Sequence, residues 1–312
     1  MRTIILFSLS CLLLISCQVD DEKREEDGIF LHVLGTVQDG GHPHIGCSKD
    51  CCENAFKGTQ NKSHIVSLGL VNHTDQKNYL LEASPDMVMQ MKTLKKLSSF
   101  SKSETPNGII LTHAHIGHYT GLMYLGKESM NSKSIPTYVL PKMKQFLSTN
   151  GPWDQLSTLK NISLKELAFD ERKELDKNLS ITPIQVPHRD EYSETSSFLI
   201  KGPKKSALFL PDIDKWEKWD HNLDSLLTKV DYAFLDATFF DEGELTERKM
   251  EDIPHPFIVE TMELLKKSKN KDKIYFIHLN HTNPCLGPAS KASQKVESNG
   301  FHIAREGMMF EL

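Results

Sequence analysis

Basic residues are not in excess in this 312-residue sequence, and no stretch of it is strongly basic. Its 37 lysines and arginines are outnumbered by 42 aspartates and glutamates, which gives a formal net charge of −5 and a pI of about 6.3. This balance disfavours nucleic acid as a partner, because binding it needs a basic surface. The folded part also lacks internal repeats and low-complexity stretches. The composition is typical of a soluble globular protein, and we expect a small-molecule substrate.

Long hydrophobic runs are missing except at the N-terminus. The apolar stretch over residues 4–15 follows a basic residue and is too short for an ordinary membrane-spanning helix. Residues 1–17 are therefore typical of a secretory signal, and their ending "LISC" resembles a bacterial lipobox. Lipidation of Cys17 would anchor an exported protein to a membrane of the cell envelope; a plain secretory signal or an uncleaved anchor is the alternative. We expect a polar tether over 18–28 and a single domain over 29–312.

Cysteines are few, and two of the six fall within the signal. The other four are Cys47, Cys51, Cys52 and Cys285. Export to an oxidising compartment favours two disulfides. However, a domain of this size does not need disulfides to be stable, and three of the four cysteines crowd into "CSKDCC". Both disulfides and a metal site stay open at this point.

Short runs rich in β-forming residues recur along the chain and predict many strands. We expect these strands over residues 29–35, 65–71, 78–83, 108–113, 136–140, 180–186, 196–200, 207–212, 232–237 and 273–279. Amphipathic stretches predict helices from Ser84 onwards, at 255–267 and at 288–298. Such a mixture indicates an α/β protein in which helices cover two sheets. Ligand-type residues end several of these strands: Glu82, His113, His188, Asp212, Asp236 and His278.

Three histidines lie within six residues in "HAHIGH", directly after the apolar run "GIIL". His113 and His115 are two residues apart, so in an extended segment their side chains point the same way. A turn into a helix near Tyr119 would bring His118 beside them. Imidazoles that converge in this way indicate a site for one metal ion or for two neighbouring ions.

The pattern "HxHxGH" resembles the "HxHxDH" signature of the metallo-β-lactamase superfamily, and "VPHRD", "LFLPDID" and "IYFIHLNH" follow where that superfamily has its later ligands. The resemblance implies an αββα sandwich. It implies one metal held by His113, His115 and His188, a second held by His118 and His278, and Asp212 as a bridge between them. It also places Glu82 where an Asp usually supports the histidine loop, and we expect Asp236 to orient a ligand histidine.

Gly117 stands where the superfamily signature has an Asp that binds the second metal. By the resemblance, the second site keeps His118, Asp212 and His278, with an expected loss of affinity. Two histidines and one carboxylate also resemble the ligand set of non-haem iron sites, so zinc is the expected metal and iron the alternative. The "DGG" at 39–41 is interpreted as a tight turn.

Four further segments, "VLGTVQDGGHPHIGC", "ASPD", "LDATFFDE" and "FIHLNHTNP", are similar to the coenzyme PQQ synthesis protein B family. A related branch, the cyclic phosphodiesterase of the phosphonate pathway, carries a structural zinc between a cysteine-rich loop and a histidine. The matching residues here are Cys47, Cys51, Cys52 and His281. Their spacing departs from that of the relatives, Cys285 is a competing ligand, and disulfides are the alternative. His42 and His44 either line the pocket or lie exposed, and His255 is either a pocket residue or a helix-start residue.

Three functions follow from these patterns. The first is a metal-dependent hydrolase in which activated water attacks a small ester-type substrate, with phosphodiesters slightly favoured. Asp212 and His188 would then be the catalytic residues, and Asp212 would also accept a proton. The second is an iron-dependent oxidative enzyme, as membership in the coenzyme PQQ family implies. The third is a surface lipoprotein that binds a metal or ligand without catalysis.

Overall fold

The computed structural model describes residues 28–60, 62–244, 249 and 252–312. The predicted signal, the lipidation site Cys17 and the tether up to residue 27 lie outside this part of the chain. Within it, no helix combines the length and the apolar character needed to cross a membrane.

The described residues form two seven-stranded mixed sheets. The first sheet has the order β14-β1-β2-β3-β4-β5-β6, with strands β1 (Ile29–Gly35), β2 (Ser67–Asn72), β3 (Lys77–Leu81), β4 (Gly108–Ile110), β5 (Ile135–Val139), β6 (Ile162–Glu166) and β14 (Met309–Glu311). The second has the order β13-β12-β11-β10-β9-β8-β7, with strands β7 (Lys173–Glu174), β8 (Ser180–Gln185), β9 (Ser196–Lys201), β10 (Ser206–Leu210), β11 (Tyr232–Asp236), β12 (Ile274–Ile277) and β13 (His302–Ile303).

The α-helices of the described residues lie between these strands. They are α1 (Asp50–Phe56), α2 (Met87–Leu97), α3 (Ile116–Tyr119), α4 (Pro141–Thr149), α5 (Trp153–Thr158), α6 (Leu223–Leu227), α7 (Ile258–Leu264) and α8 (Lys291–Ser298). Short 3-10 turns occur at Thr120–Leu125, Trp216–Lys218, Glu242–Glu244, Lys271–Lys273 and Pro284–Leu286.

Three apolar clusters hold these layers together. The one that includes Leu70, Phe198 and Phe234 joins inward-facing side chains of both sheets. A second packs α2 and α4 on the outer face of the first sheet, and a third packs α6, α7 and α8 on the outer face of the second. Helices therefore cover both outer faces of a two-sheet sandwich, which confirms the predicted αββα architecture.

The two sheets have matching plans that decide where the site lies. In each, hydrogen-bonded antiparallel strands are followed by parallel pairs: β3 to β6 in the first sheet and β10 to β13 in the second. Because the carboxyl ends of parallel strands share one edge, residues that follow β3, β4, β10 and β12 gather at the same rim of the sandwich.

All ten predicted strands are present, most of them with ends shifted by one to three residues. The predicted helices are present as α2, α7 and α8. The helix expected to start near Tyr119 instead begins at Ile116, so His118 lies inside its only turn.

Candidate metal centre

Residues that follow strands of both sheets meet in one buried group, here called the central cluster: His113, His115, His118, His188, Asp212 and His278. All six were predicted as ligands from the sequence. Pairing of Leu81 with Ile110 and of Asp236 with Ile277 aligns the strand ends from which the histidines extend. The structure therefore brings together side chains separated by up to 165 residues in the sequence.

Asp212 lies at the middle of the central cluster. Its Oδ2 is 3.4 Å from His113 Nε2, 3.7 Å from His118 Nε2 and 3.9 Å from His278 Nε2. Its Oδ1 is 3.2 Å from His188 Nε2. Ligand atoms around a tetrahedral zinc with bonds near 2.1 Å are about 3.4 Å apart, so this spacing matches that of a metal site. The carboxylate faces imidazoles on two sides, as the predicted bridging position requires.

A threonine fixes the orientation of His113. The Thr112 hydroxyl donates to Glu82 Oε1 at 2.6 Å and lies 2.9 Å from His113 Nδ1. Because the only hydroxyl proton goes to Glu82, the oxygen accepts from the Nδ1–H of His113, which leaves Nε2 free to bind a metal. Glu82 Oε1 is also 3.4 Å from His118 Nδ1. Glu82 therefore lies behind the histidine loop, where the sequence predicted a supporting carboxylate.

The second sheet contains the same arrangement around His278. The Thr238 hydroxyl donates to Asp236 Oδ1 at 2.8 Å and lies 2.9 Å from His278 Nδ1. The oxygen therefore accepts from this imidazole and leaves its Nε2 free. Asp236 was expected to orient a ligand histidine, and the structure places it behind His278 through this hydroxyl.

His115 is held from the solvent side. Its Nε2 lies 3.0 Å from Glu191 Oε2, while its Nδ1 lies 2.8 Å from His113 Nε2 and 3.9 Å from Asp212 Oδ2. When Nε2 donates to Glu191, Nδ1 is the nitrogen that faces the centre. The side chain is 12% exposed, so the central cluster is open to solvent at this histidine.

The donor atoms of the central cluster fit a cation. Six buried atoms there have no hydrogen-bond partner: Nδ1 and Nε2 of His118 and of His188, Oδ1 of Asp212 and Nε2 of His278. Buried polar atoms normally have partners, and of these six the Nε2 atoms of His118, His188 and His278 face the Asp212 carboxylate, as metal ligands do. Burial and the neighbouring His118 lower the pKa of His113 well below its ordinary value, so this imidazole is neutral, as a ligand must be.

Asp39 also lies against this group, although the sequence predicted only a tight turn at "DGG". Its Oδ1 lies 3.1 Å from His118 Nε2 and 3.6 Å from His278 Nε2. Burial raises the pKa of Asp39, but His118 and His278 outweigh this and hold the pKa well below its ordinary value. No spacing rule in the sequence ties Asp39 to the histidine motif, since 71 residues of chain separate "QDGG" from the first of the three histidines.

His255 is a pocket residue and not part of a helix start. Its Nδ1 lies 2.8 Å from Asp236 Oδ2 and 3.2 Å from Asp212 Oδ1, and α7 begins three residues later. Burial lowers the pKa of His255, but Asp236 and Asp212 raise it to about 10. The imidazole is 13% exposed and borders the central cluster on the side of the second sheet.

A separate group, here called the cysteine cluster, consists of Cys47, Cys52 and His281. Its ligand atoms lie within 4.8 Å of one another. The Cys51 Sγ lies 3.7 Å from that of Cys47 but does not belong to this set of three. None of the four described cysteines is in a disulfide, and the buried Cys285 is in neither group. Zinc ligation by Cys47, Cys51, Cys52 and His281 stays a prediction.

The two loop histidines support the cysteine cluster and not the pocket. His42 is buried, with Nε2 2.8 Å from the Cys51 carbonyl oxygen. The His44 ring stacks on that of His281 at 4.3 Å between centroids, and its backbone N–H donates to Cys52 Sγ. Both therefore lie beside the thiols. The sequence predicted either a place in the pocket lining or an exposed place on the loop, and the observed location is neither.

Comparison with known proteins identifies the fold and the family. The model of the Beta-lactamase superfamily domain matches residues 77–279. Coenzyme PQQ synthesis protein B of Nitrosococcus oceani is 26% identical over 314 residues, covering 90% of this chain and 99% of that protein. The solved structure of Zn(2+)-bound PqqB from Methylobacterium extorquens is 20% identical, with a TM-score of 0.74 over 91% of this chain and 100% of that one.

A diphosphatase from the PhnP family is also similar in structure. It is 21% identical, with a TM-score of 0.63, and the match covers 91% of this chain and 97% of that one. Together these comparisons confirm the predicted fold and the predicted resemblance to coenzyme PQQ synthesis protein B.

Proposed function

This chain belongs to the β-lactamase superfamily, and from that premise we propose that it is a metal-dependent hydrolase of small ester-type substrates. The observation that carries the proposal is the central cluster, where Asp212 lies between imidazoles of both sheets at the spacing of metal ligands. A divalent ion held there would polarise the scissile bond and lower the pKa of water towards neutrality.

The chain's own residues would divide the remaining tasks. His113, His115 and His188 would hold one ion on one side of Asp212, and His118 with His278 would hold a second. The carboxylate of Asp212 is the group placed to accept a proton at the centre of the cluster. Glu82 and Asp236, through the hydroxyls of neighbouring threonines, keep the imidazoles in the ligating orientation.

Phosphodiesters are the substrate class that we favour. His115 reaches solvent beside Glu191, and Glu191 Oε1 lies 3.7 Å from Nη1 of Arg189, which is half-exposed. An arginine at the mouth of the site favours an anionic substrate. The structural similarity to a diphosphatase from the PhnP family supports the same choice.

A panel of substrates offered to the full chain loaded with Zn²⁺ tests this proposal. The panel is bis(p-nitrophenyl) phosphate, p-nitrophenyl acetate, a lactone and a β-lactam, and we expect the highest kcat/KM for the phosphodiester. His115→Ala and Asp212→Asn should each lower kcat/KM at least about 10³-fold, because a catalytic metal contributes several kcal/mol to the transition state. The control is His221→Ala, an exposed histidine outside both clusters, which should leave turnover unchanged. Bound metal without turnover of any class would contradict the proposal.

An iron-dependent oxidative function is the second candidate. It is supported by the relatives named coenzyme PQQ synthesis protein B, which match nine-tenths of this chain. Elemental analysis of the full chain, purified without added metal, separates the two. Iron that disappears in His115→Ala would favour oxidative chemistry, and zinc that disappears in the same variant would favour hydrolysis.

A further inference from the structure

We propose that Asp39 supplies the carboxylate ligand that Gly117 cannot, so that the second metal position is completed from a different loop. The inference rests on the metal centre of the proposed function and concerns how its second position is built. From Gly117 the sequence predicted a second metal site with three protein donors and a lowered affinity. The structure instead indicates four: Asp39, His118, Asp212 and His278.

The first evidence is steric. A Cβ at position 117 would lie 2.7 Å from the Asp39 Cα and 2.8 Å from its Cγ, closer than real Cβ atoms come. The Asp39 side chain thus fills the volume that any side chain at 117 would occupy. Since the Cα is backbone, Asp39 cannot clear this volume by changing rotamer. A side chain at 117 is therefore incompatible with the backbone path at residue 39, and in this chain the carboxylate near His118 comes from that loop instead.

The second evidence is the position of the carboxylate. Asp39 Oδ1 is 3.1 Å from His118 Nε2 and 3.6 Å from His278 Nε2, near the 3.4 Å that separates ligands of a tetrahedral ion. The same two nitrogens lie 3.7 and 3.9 Å from Asp212 Oδ2. Asp39 Oδ1 is buried and makes no hydrogen bond, and neither does the Nε2 atom of His118 or of His278. Three such atoms that face one another form a donor set that fits a cation.

The third evidence is the way the loop is held. The Gln38 backbone N–H donates to the Leu279 carbonyl at 3.0 Å, and the Gln38 side chain donates to Asn280 Oδ1 at 2.9 Å. Val37 pairs with Leu279 in a parallel bridge. These bonds join the residues just before Asp39 to the residues just after His278. The turn is thus fixed relative to a ligand, as a metal-binding carboxylate requires.

Zn²⁺ binding to three full-length variants tests the inference. Asp39→Asn keeps the size of the side chain and removes its charge, and Asp50→Asn, an exposed residue of the same segment, is the matched control. Asp39→Gly removes the whole side chain and with it the ligand. Elemental analysis gives the stoichiometry, chelator competition gives the affinities, and thermal unfolding reports whether each variant is folded.

We expect Asp39→Asn to bind one Zn²⁺ fewer than wild type, or to bind that ion at least about 100-fold more weakly. Loss of a residue that only hydrogen-bonds to a metal ligand already lowers metal affinity about 10- to 100-fold. Asp39→Gly should show the same loss, and Asp50→Asn should match wild type. Full occupancy at unchanged affinity in Asp39→Asn would overturn the inference and leave the proposed function standing. Equal zinc content in the wild type and in His115→Ala would instead refute the metal centre itself.

Discussion

The central cluster and the cysteine cluster are built from the same two segments of chain but in opposite ways. The segment after β1, which includes α1, places Asp39 against the first and contributes Cys47 and Cys52 to the second. The residues after β12 contribute His278 to the first and His281 to the second. Only the central cluster adds side chains from the ends of further strands, and only its histidines are fixed from behind by hydroxyl–carboxylate pairs.

This difference assigns opposite roles to a bound metal. In the central cluster the two sheets fix the donors, so the fold makes the site and the metal adds chemistry. In the cysteine cluster two of the three donors come from one loop, and Cys47 is only half-buried. A metal there would itself order the loop, as structural zinc does. Because the same loop carries Asp39, the cysteine cluster would also help to hold a ligand of the second position.

The largest effect on this comparison is expected from Cys52→Ser. The variant should lose one Zn²⁺ per chain by elemental analysis and unfold with a free energy lowered by more than about 2 kcal/mol, because loss of a metal is among the few changes with large effects. It should also weaken the second central position while leaving the position of His113, His115 and His188 filled.

Cys285→Ser is the matched control, since Cys52 and Cys285 are both fully buried thiols and only Cys52 belongs to the cysteine cluster. It should retain all the zinc of the wild type. Equal zinc content in the two variants would refute a metal at the cysteine cluster.

A smaller effect is expected from Thr112→Val, which breaks the link between Glu82 and His113. The valine has nearly the same shape but cannot donate to the carboxylate or accept from the imidazole, and both lie buried. Affinity for the first central ion should fall about 10- to 100-fold, measured by chelator competition. Zinc at the cysteine cluster should be unaffected, and Thr112→Ser should restore the affinity. Unchanged affinity in Thr112→Val would show that the sheets alone orient His113.

The smallest effect is expected from Glu306→Gln, which removes an exposed charged partner of His64, a residue of the segment between β1 and β2. Glu306 accepts from the backbone N–H and lies 2.8 Å from Nδ1 of His64, whose carbonyl in turn accepts from Thr36. The hydrogen bond to Glu306 raises the pKa of His64 above its ordinary value, even though burial lowers it. The pair therefore stabilises the fold fully below the unfolded-state pKa, near 6.5, and this contribution disappears as pH rises through the folded-state pKa.

Denaturant unfolding at pH 5.5 and at pH 9 measures this pair. Glu306→Gln should lower stability by about 0.2–1 kcal/mol at pH 5.5 and by less at pH 9. Glu311→Gln, which breaks the exposed pair with Lys204, is the control and should show no such pH dependence because no histidine takes part. A pH-independent loss in Glu306→Gln would contradict the expected charge on His64.

Much of the fold could be predicted from local patterns. Runs of β-forming residues located ten strands, and the amphipathic spacing located α2, α7 and α8. The strands that were missed, β6, β7, β13 and β14, lie at or beside sheet edges and have two to five residues each, so they carry little periodic signal. The helices α1, α4, α5 and α6 were also missed. Although α7 and α8 are no longer than α4, they lie within amphipathic stretches of 13 and 11 residues, 255–267 and 288–298, which carry the periodic signal.

The sequence by itself determined the histidine motif and the later candidate ligands in their order, because each of these is written in contiguous residues. Their resemblance to the metallo-β-lactamase superfamily implied the αββα sandwich. Only the tertiary structure decided that Asp39 fills the space above Gly117, that His255 borders the central cluster, and that His42 and His44 lie beside the thiols. The physical reason is that these contacts join loops far apart in the chain. Their approach is set by how two sheets pack, and no local spacing records it.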